Sequence, residues 1–405
     1  MSTTSERTDR LRQQAIGVVD DWAARLIELS HAIHANPELS YQEHDSAALV
    51  AETIRSAGFD TTVGAYGLDT DIEAVSGEGE LTIALCSEYD ALPDVGHACG
   101  HNIIAAIGVG AAIAVASVAT ELGLRVKLLG TPAEEHGGGK ADMLRAGAWE
   151  DVTFSMMAHG ISGADLTCDA HSTTAVERFE VEYLGRAAHA AAAPQAGINA
   201  GAAANIALTA ISHLRQHIGP GARINAFISH GGEATNIIPE RTVVQAEVRA
   251  YDLDEWRELK KRALACFEAG AVATGCEWKH RRTENPYAPM NSHPGLAAAW
   301  DRNLVSLGRT PDPDRIVGGG STDMGNVSQV VPTIHPLIAV LGSDAVPHHP
   351  AFAAAAATPE ADAAVLDGAK ALALTAIDAA SDPQFRSELL QLQADRPTGA
   401  TRIEF

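Results

Sequence analysis

Apolar positions along the chain follow first one period and then another, and the changes divide it. From about Ser5 to Ala35, Leu11, Ala15, Val18, Val19, Trp22, Leu26 and Leu29 recur at helical spacing. They predict an amphipathic helix that Asn36-Pro37 ends. A second helix is predicted over Asp45 to Ser56, stopped by Gly58. Short apolar runs then alternate with helical stretches. Strands are expected at Leu81–Cys86, Leu124–Leu129 and Val152–Ala158, and helices at Asn102–Leu122 and Lys140–Ala146. Strand–helix repeats with short connections predict a parallel sheet with right-handed crossovers. The chemistry of such a sheet gathers beyond the carboxyl ends of its strands.

Near Ser172 the pattern changes. In Ala175–Leu184, apolar Phe179, Val181 and Tyr183 alternate with Glu180 and Glu182, which reads as a half-exposed antiparallel strand. Helices are expected over Gly197–His217 and Leu253–Ala273. Further strands are expected over Ala222–Ser229, Arg241–Tyr251 and Cys276–Thr283. The order β-α-β-β-α-β is the ferredoxin-like arrangement. The expected fold class is therefore α/β: a mainly parallel-sheet domain, residues 1–172 and 287–405, with an inserted α+β module at 173–286. After Pro286, Val331–Val340 supplies strand material and Pro359–Ala379 a long helix, while the segment from Ser381 onward reads as loosely attached. Gly108-Val109-Gly110 lies inside a helix and lacks a third glycine, so it is no dinucleotide fingerprint.

Composition narrows the function. Of 405 residues, 29 are Lys or Arg and 52 are Asp or Glu, a net charge of −23 that argues against nucleic-acid partners and anionic membrane surfaces. The uncharged stretch from His97 to Thr120 is long enough to suggest a membrane span. Its Ala/Gly content and its histidines favour a buried helix instead. Five scattered cysteines and a polar N-terminus without a leader pattern predict a reduced, cytoplasmic protein. Seventeen histidines point toward metal or acid–base chemistry.

That chemistry concentrates after three strands. Glu88-Tyr89-Asp90 and His97-Ala98-Cys99-Gly100-His101 follow the first. Pro132-Ala133-Glu134-Glu135-His136 follows the second, and His159 the third. Thiolate, imidazole and carboxylate converging on one sheet edge are ligands that zinc and similar metals accept. Of two adjacent acids, one can bind metal while the other holds a metal-bound water. A metal lowers the pKa of that water from about 15.7 to about 7, and the carboxylate then takes its proton.

These motifs, in this order, resemble the dinuclear-metal aminoacylase/carboxypeptidase family, peptidase family M-twenty, over nearly the whole chain. Further landmarks are His34-Ala-Asn-Pro-Glu-Leu-Ser, Tyr89-Asp-Ala-Leu-Pro, Gly185-Arg-Ala-Ala-His, Asn236-Ile-Ile-Pro, Ser321-Thr-Asp-Met-Gly-Asn and His348-His-Pro-Ala-Phe. The last two resemble aminobenzoyl-glutamate hydrolases and β-alanyl-lysine-type dipeptidases more than auxin-conjugate hydrolases. The resemblance implies a metal-dependent amidohydrolase that cleaves the amide of a dipeptide, or of an N-acyl or N-aryl amino acid, beside a free carboxylate. It implies two divalent ions per subunit, zinc or manganese among them, with Cys99 bridging. His101 and His159 would complete one site, and Glu135 and His348 the other. Glu134 would be the general base, and Asp90 would orient a ligating imidazole. His189 would stabilise the oxyanion, often in a partner's site, which implies a homodimer through the inserted module. Asn236 and Arg249 would hold the substrate carboxylate.

Other readings stay open beside these. The activity has a rival in deacylation of a small secondary-metabolite or xenobiotic amide, and another in a non-catalytic metal- or ligand-binding homologue. His97 reads as structural and His349 as exposed or supporting. Asn236 has a second reading as a cap before Pro239, and Arg249 as the partner of a local acid. His136 stands where close relatives tend to have Gly, so it either faces solvent or narrows the substrate entrance.

Overall fold

The computed structural model describes residues 2–400, which divide into two compact units. One holds residues 2–172, 290–318 and 322–400. The other holds Thr173–Pro289 and Gly319–Ser321.

The first unit is built on a six-stranded sheet. In spatial order its strands are Asp60–Val63, Ile72–Ser76, Leu124–Gly130, Leu81–Ser87, Phe154–Met156 and Thr333–Ile334. The last four run parallel, and Ile72–Ser76 joins them antiparallel. Strand Leu81–Ser87 is buried along its whole length, as expected of a strand covered on both faces. Ile83 and Leu85 face a core shared with helices Ser2–Ala35, His101–Ala116 and Pro359–Ser381. Ala84 and Cys86 face a second core with Met143, Trp149 and Met324.

The uncharged stretch lies in helix His101–Ala116, which is buried among other helices, and no helix of the described residues is long and apolar enough to cross a membrane. Its small residues allow that packing. A Cβ on Gly108 would come within 2.6 Å of the Cys86 carbonyl oxygen, and one on Gly110 within 2.8 Å of Leu26. The helix is shorter than expected. It ends at Ala116, where Ser117 Oγ donates back to the Ala114 carbonyl at 2.7 Å, and a separate turn follows at Ala119–Leu122.

Three other expectations are corrected. The strand expected over Val152–Ala158 covers only Phe154–Met156, and the chain re-forms a parallel pair as His159–Ser162 with Leu337–Val340. The partner run breaks at the same level, at His335-Pro336, because Pro336 has no N–H to give a ladder. From Ser381 to residue 400 the segment is not loose, and the expectation for 401–405 lies outside the described residues: helix Pro383–Asp395 buries Leu389, and Arg396 donates to the Val152 carbonyl at 2.6 Å. The sequence reads the four cysteines other than Cys99 as buried small residues; Cys86, Cys168 and Cys276 are buried, but Cys266 is only half-buried.

The second unit carries a four-stranded antiparallel sheet in the order Glu277–Arg282, Ala175–Leu184, Arg241–Ala250, Arg223–His230. Phe179, Val181 and Tyr183 pack against helices Ala200–Leu214 and Leu253–Thr274. The alternate positions carry charge: Glu182 pairs with Arg241 at 2.6 Å and with Lys279 at 2.8 Å. Gly319–Ser321 joins this unit because Thr174 N–H donates to the Gly320 carbonyl at 2.8 Å and Ser321 Oγ donates to the Thr174 carbonyl at 2.8 Å.

Candidate metal centre

The adjacent ends of three parallel strands set the site. Leu81–Ser87 leads into Glu88 and Asp90, Leu124–Gly130 into Glu134 and Glu135, and Phe154–Met156 into His159. Gly100 sits in the left-handed region with φ of 80°, where a glycine is free of the Cβ penalty. That turn starts the helix at His101 and leaves Cys99 just before it.

The side chains converge in three groups, each with its ligand atoms within 4.8 Å of one another. They are Cys99, His101 and His159; Cys99, Glu135 and His348; and His101, Glu134 and Glu135. Cys99 alone belongs to both groups that contain a thiol. Its Sγ is 3.4 Å from His159 Nε2. His348 Nε2 is 3.7 Å from Glu135 Oε2, and His101 Nε2 is 3.8 Å from both Glu134 Oε2 and Glu135 Oε1. Donors sharing one tetrahedral cation at ordinary bond lengths stand roughly 3.3–3.6 Å apart.

The surrounding hydrogen bonds aim these atoms. His101 Nδ1 lies 2.9 Å from Asp90 Oδ1 and His159 Nδ1 lies 2.7 Å from the Gly160 carbonyl, so each ring turns Nε2 toward the cluster. Asp90 Oδ2 accepts from the Glu135 N–H at 2.9 Å and from Ser40 Oγ at 2.8 Å. The Glu pair follows Ala133, a non-glycine residue at φ of 61°, whose N–H is held at 2.9 Å by buried Glu43. His348 also has positive φ, 66°, and its N–H donates to the Ala98 carbonyl at 2.8 Å. Two left-handed non-glycine residues flanking one cluster are strain that the surrounding bonds hold in place.

The electrostatics fit a cation. Burial, with Glu88 and Glu135 beside it, pushes the Glu134 carboxyl well above its usual range. Burial and Glu135 push the Cys99 thiol well up. Burial and the neighbouring His101 bring His159 down to about 3, so its imidazole is neutral and free to ligate. Burial disfavours the charged form of His101, but Asp90 outweighs it and raises that ring well above its normal value. Two polar atoms of the proposed ligand set, His101 Nε2 and Glu135 Oε1, are buried with no hydrogen-bond partner. A mixed thiolate, imidazole and carboxylate set with such orphaned atoms suits a borderline divalent metal.

The remaining candidates lie elsewhere. His189 and Asn236 sit together in the second unit, where Ala190 N–H donates to the Asn236 carbonyl at 2.9 Å and both side chains are exposed. His189 Nδ1 accepts from Ala191 and Ala192 N–H at 3.2 Å, which leaves Nε2 as the donor. Arg249 already spends its guanidinium on Glu247, at 2.6 and 3.0 Å, and on Ser321 at 3.1 Å. His97 is buried outside the three groups, stacked on His34. His349 caps helix Pro350–Ala355, and His136 is exposed.

Sequence reading passed over three residues at this centre. Glu43 holds Ala133. Lys140, fully buried, pairs with Glu88 and, at 2.7 Å, with Asp323. His335, also buried, lies against His159 at 5.6 Å between ring centres. Nothing in local spacing marks Glu43 or Lys140. Asp323 was visible as part of a landmark but had no assigned partner.

Residues 176–274 match the M20 peptidase dimerisation domain. The chain is 38% identical over 402 residues to the Xaa-Arg dipeptidase of Mus musculus, covering 94% of this chain and 92% of that protein. It is 30% identical over 272 residues to one of the p-aminobenzoyl-glutamate hydrolase subunits of Escherichia coli K12, covering 62% of this chain and 56% of that one. Its fold matches a dinuclear metal binding peptidase of the M20 family from Bacillus subtilis, with a TM-score of 0.68 and 22% identity over 89% of this chain and 98% of that one.

Proposed function

The chain belongs to the M20 peptidase family, whose members hydrolyse dipeptides and N-acyl amino acids with metal, and from that premise we propose how its residues divide the work. The carrying observation is the sharing of Cys99 between two ligand groups, with Glu134 beside both His101 and Glu135. Cys99, His101 and His159 would hold one divalent ion, and Cys99, Glu135 and His348 the other. When bound, these ions supply Lewis acidity to the scissile carbonyl and acidify the attacking water. Asp90 keeps the His101 ring oriented through Nδ1.

Glu134 takes the proton of the attacking water and delivers it to the leaving amine nitrogen. His189, with Nε2 as donor, would stabilise the carbonyl oxygen as it becomes negative, in its own or a partner's site, and Asn236 would bind the substrate. Arg249 would have to exchange Glu247 for a substrate carboxylate.

The substrate class is a dipeptide with a cationic C-terminal residue. The near-full-length likeness to a dipeptidase named for Arg supports it, and the −23 charge favours such substrates electrostatically. The matched dimerisation domain supports a homodimer through the second unit. Zinc suits the donor set, with manganese as the rival, and the free cysteines suit a reducing cytoplasm. Glu134→Gln tests the core of the reading. It should bind metal as the parent does and lose activity by ~10³-fold or more on Xaa-Arg and Xaa-Lys dipeptides. Appreciable turnover by this variant rejects Glu134 as the base.

A further inference from the structure

Besides the ligands assigned above, one more buried atom beside the cluster has no hydrogen-bond partner: Glu88 Oε2. Glu88 is fully buried at the end of the central strand Leu81–Ser87. Its other oxygen, Oε1, is bonded by the Lys140 ammonium. Oε2 lies 3.6 Å from His101 Nε2, closer than Glu134 or Glu135, both at 3.8 Å. His101 Nε2 is the nitrogen left free by the bond to Asp90.

We propose that Glu88 is a further carboxylate of the metal centre, supplying Oε2 to the ion held by His101, with Lys140 and Asp323 fixing it there. The inference rests on the dinuclear reading above.

Three observations carry it. First, the separation of Oε2 from His101 Nε2 is what two donors to one cation show, roughly 3.3–3.6 Å. Second, a purely structural ion pair would satisfy both carboxylate oxygens. Here Lys140 bonds one oxygen, and the other is buried without a hydrogen-bond partner 3.6 Å from His101 Nε2, which is costly unless something positive meets it. Third, the Lys140 ammonium holds both Glu88 and Asp323 among fully buried groups, so Oε2 is fixed where it faces His101 Nε2. The Lys140 N–H also donates to Asp323 Oδ2 at 2.8 Å. Backbone and ammonium of Lys140 are thus both tied to Asp323, so the ammonium that grips Glu88 has little freedom.

The test is cobalt titration of chelator-stripped full-length protein, followed by calorimetry and visible absorption. The parent should take up two equivalents. Glu88→Gln should bind one of them at least ~10-fold more weakly, with altered d–d bands for that equivalent. Glu88→Asp keeps the charge but is one methylene shorter, and it should show the same loss, so a Gln variant that fails to fold does not end the test. Unchanged affinity and spectrum in the folded variants overturns the proposal while leaving the dinuclear reading intact. A parent that binds fewer than two equivalents, or a Cys99→Ser control that binds both as the parent does, overturns the dinuclear reading and this one with it.

Discussion

Asp90 holds His101 with one carboxylate oxygen, Oδ1 to Nδ1 at 2.9 Å, and the Glu135 backbone N–H with the other, at 2.9 Å. One buried acid thereby sets the position of a ligand from each of two strand ends. Asp90→Ala should weaken metal binding by ~10–100-fold, because it frees the imidazole and loosens the Glu135 turn together. Calorimetric titration of the metal-free protein checks this, and an affinity within about twofold of the parent refutes it.

Metal affinity should rise with pH through the neutral and alkaline range. The Cys99 thiol holds its proton more tightly than usual, through burial and the neighbouring Glu135. His101 is held protonated by Asp90 against the effect of burial. A metal must displace protons from such ligands, so low pH opposes binding and high pH favours it. Proton release on metal addition, measured in buffers of different ionisation enthalpy, checks the sign. Affinity that is flat across this range counts against the ligand set.

Glu43 predicts a pH effect on stability of the metal-free protein. Burial, reinforced by Asp90, pushes its carboxyl up to about 7 from an unfolded value near 4.5. The folded state therefore binds a proton that the unfolded state has released, and stability falls as pH rises from about 4.5 through about 7. Glu43→Gln should remove that part of the slope in thermal melts between about pH 5 and 8. An identical slope in the variant excludes Glu43 as its source.

Ala133→Gly should raise the melting temperature, because glycine tolerates the 61° φ that costs a non-glycine residue about 1 kcal/mol. Activity should fall modestly as the turn carrying Glu134 gains freedom. A lower melting temperature would show that the left-handed conformation is not strained here.

Gly108→Ala should destabilise by about 1–3 kcal/mol despite the better helix propensity of Ala, because the new methyl meets the Cys86 backbone oxygen at 2.6 Å. Denaturant unfolding measures it. A neutral result would mean that the helix shifts away from the central strand at no cost.

Strands and helices with a strong period were legible in the sequence. The continuous apolar run at Leu81–Cys86, the alternation at Ala175–Leu184 and the β-α-β-β-α-β order all reappear in the fold. Short or broken elements were not. Ile72–Ser76 is too brief to show a period, and the interruption at His335-Pro336 is visible only once its parallel partner at Met157-Ala158 is seen to break at the same level. The C-terminal helix looked loose because it buries few residues, among them Leu389.

The sequence by itself determined which chemistry was available: a thiol and an imidazole two residues apart at Cys99 and His101, and a pair of acids at Glu134 and Glu135. Those are local facts of spacing, and a strand end brings them into one place. Only the tertiary structure decided which distant charges would balance that cluster. Lys140 meets Glu88 across 52 residues and Asp323 across 183, and each is fully buried. Pairings at such separations have no periodicity to read. Electrostatics selects them once folding has excluded the water that would otherwise have solvated each charge alone.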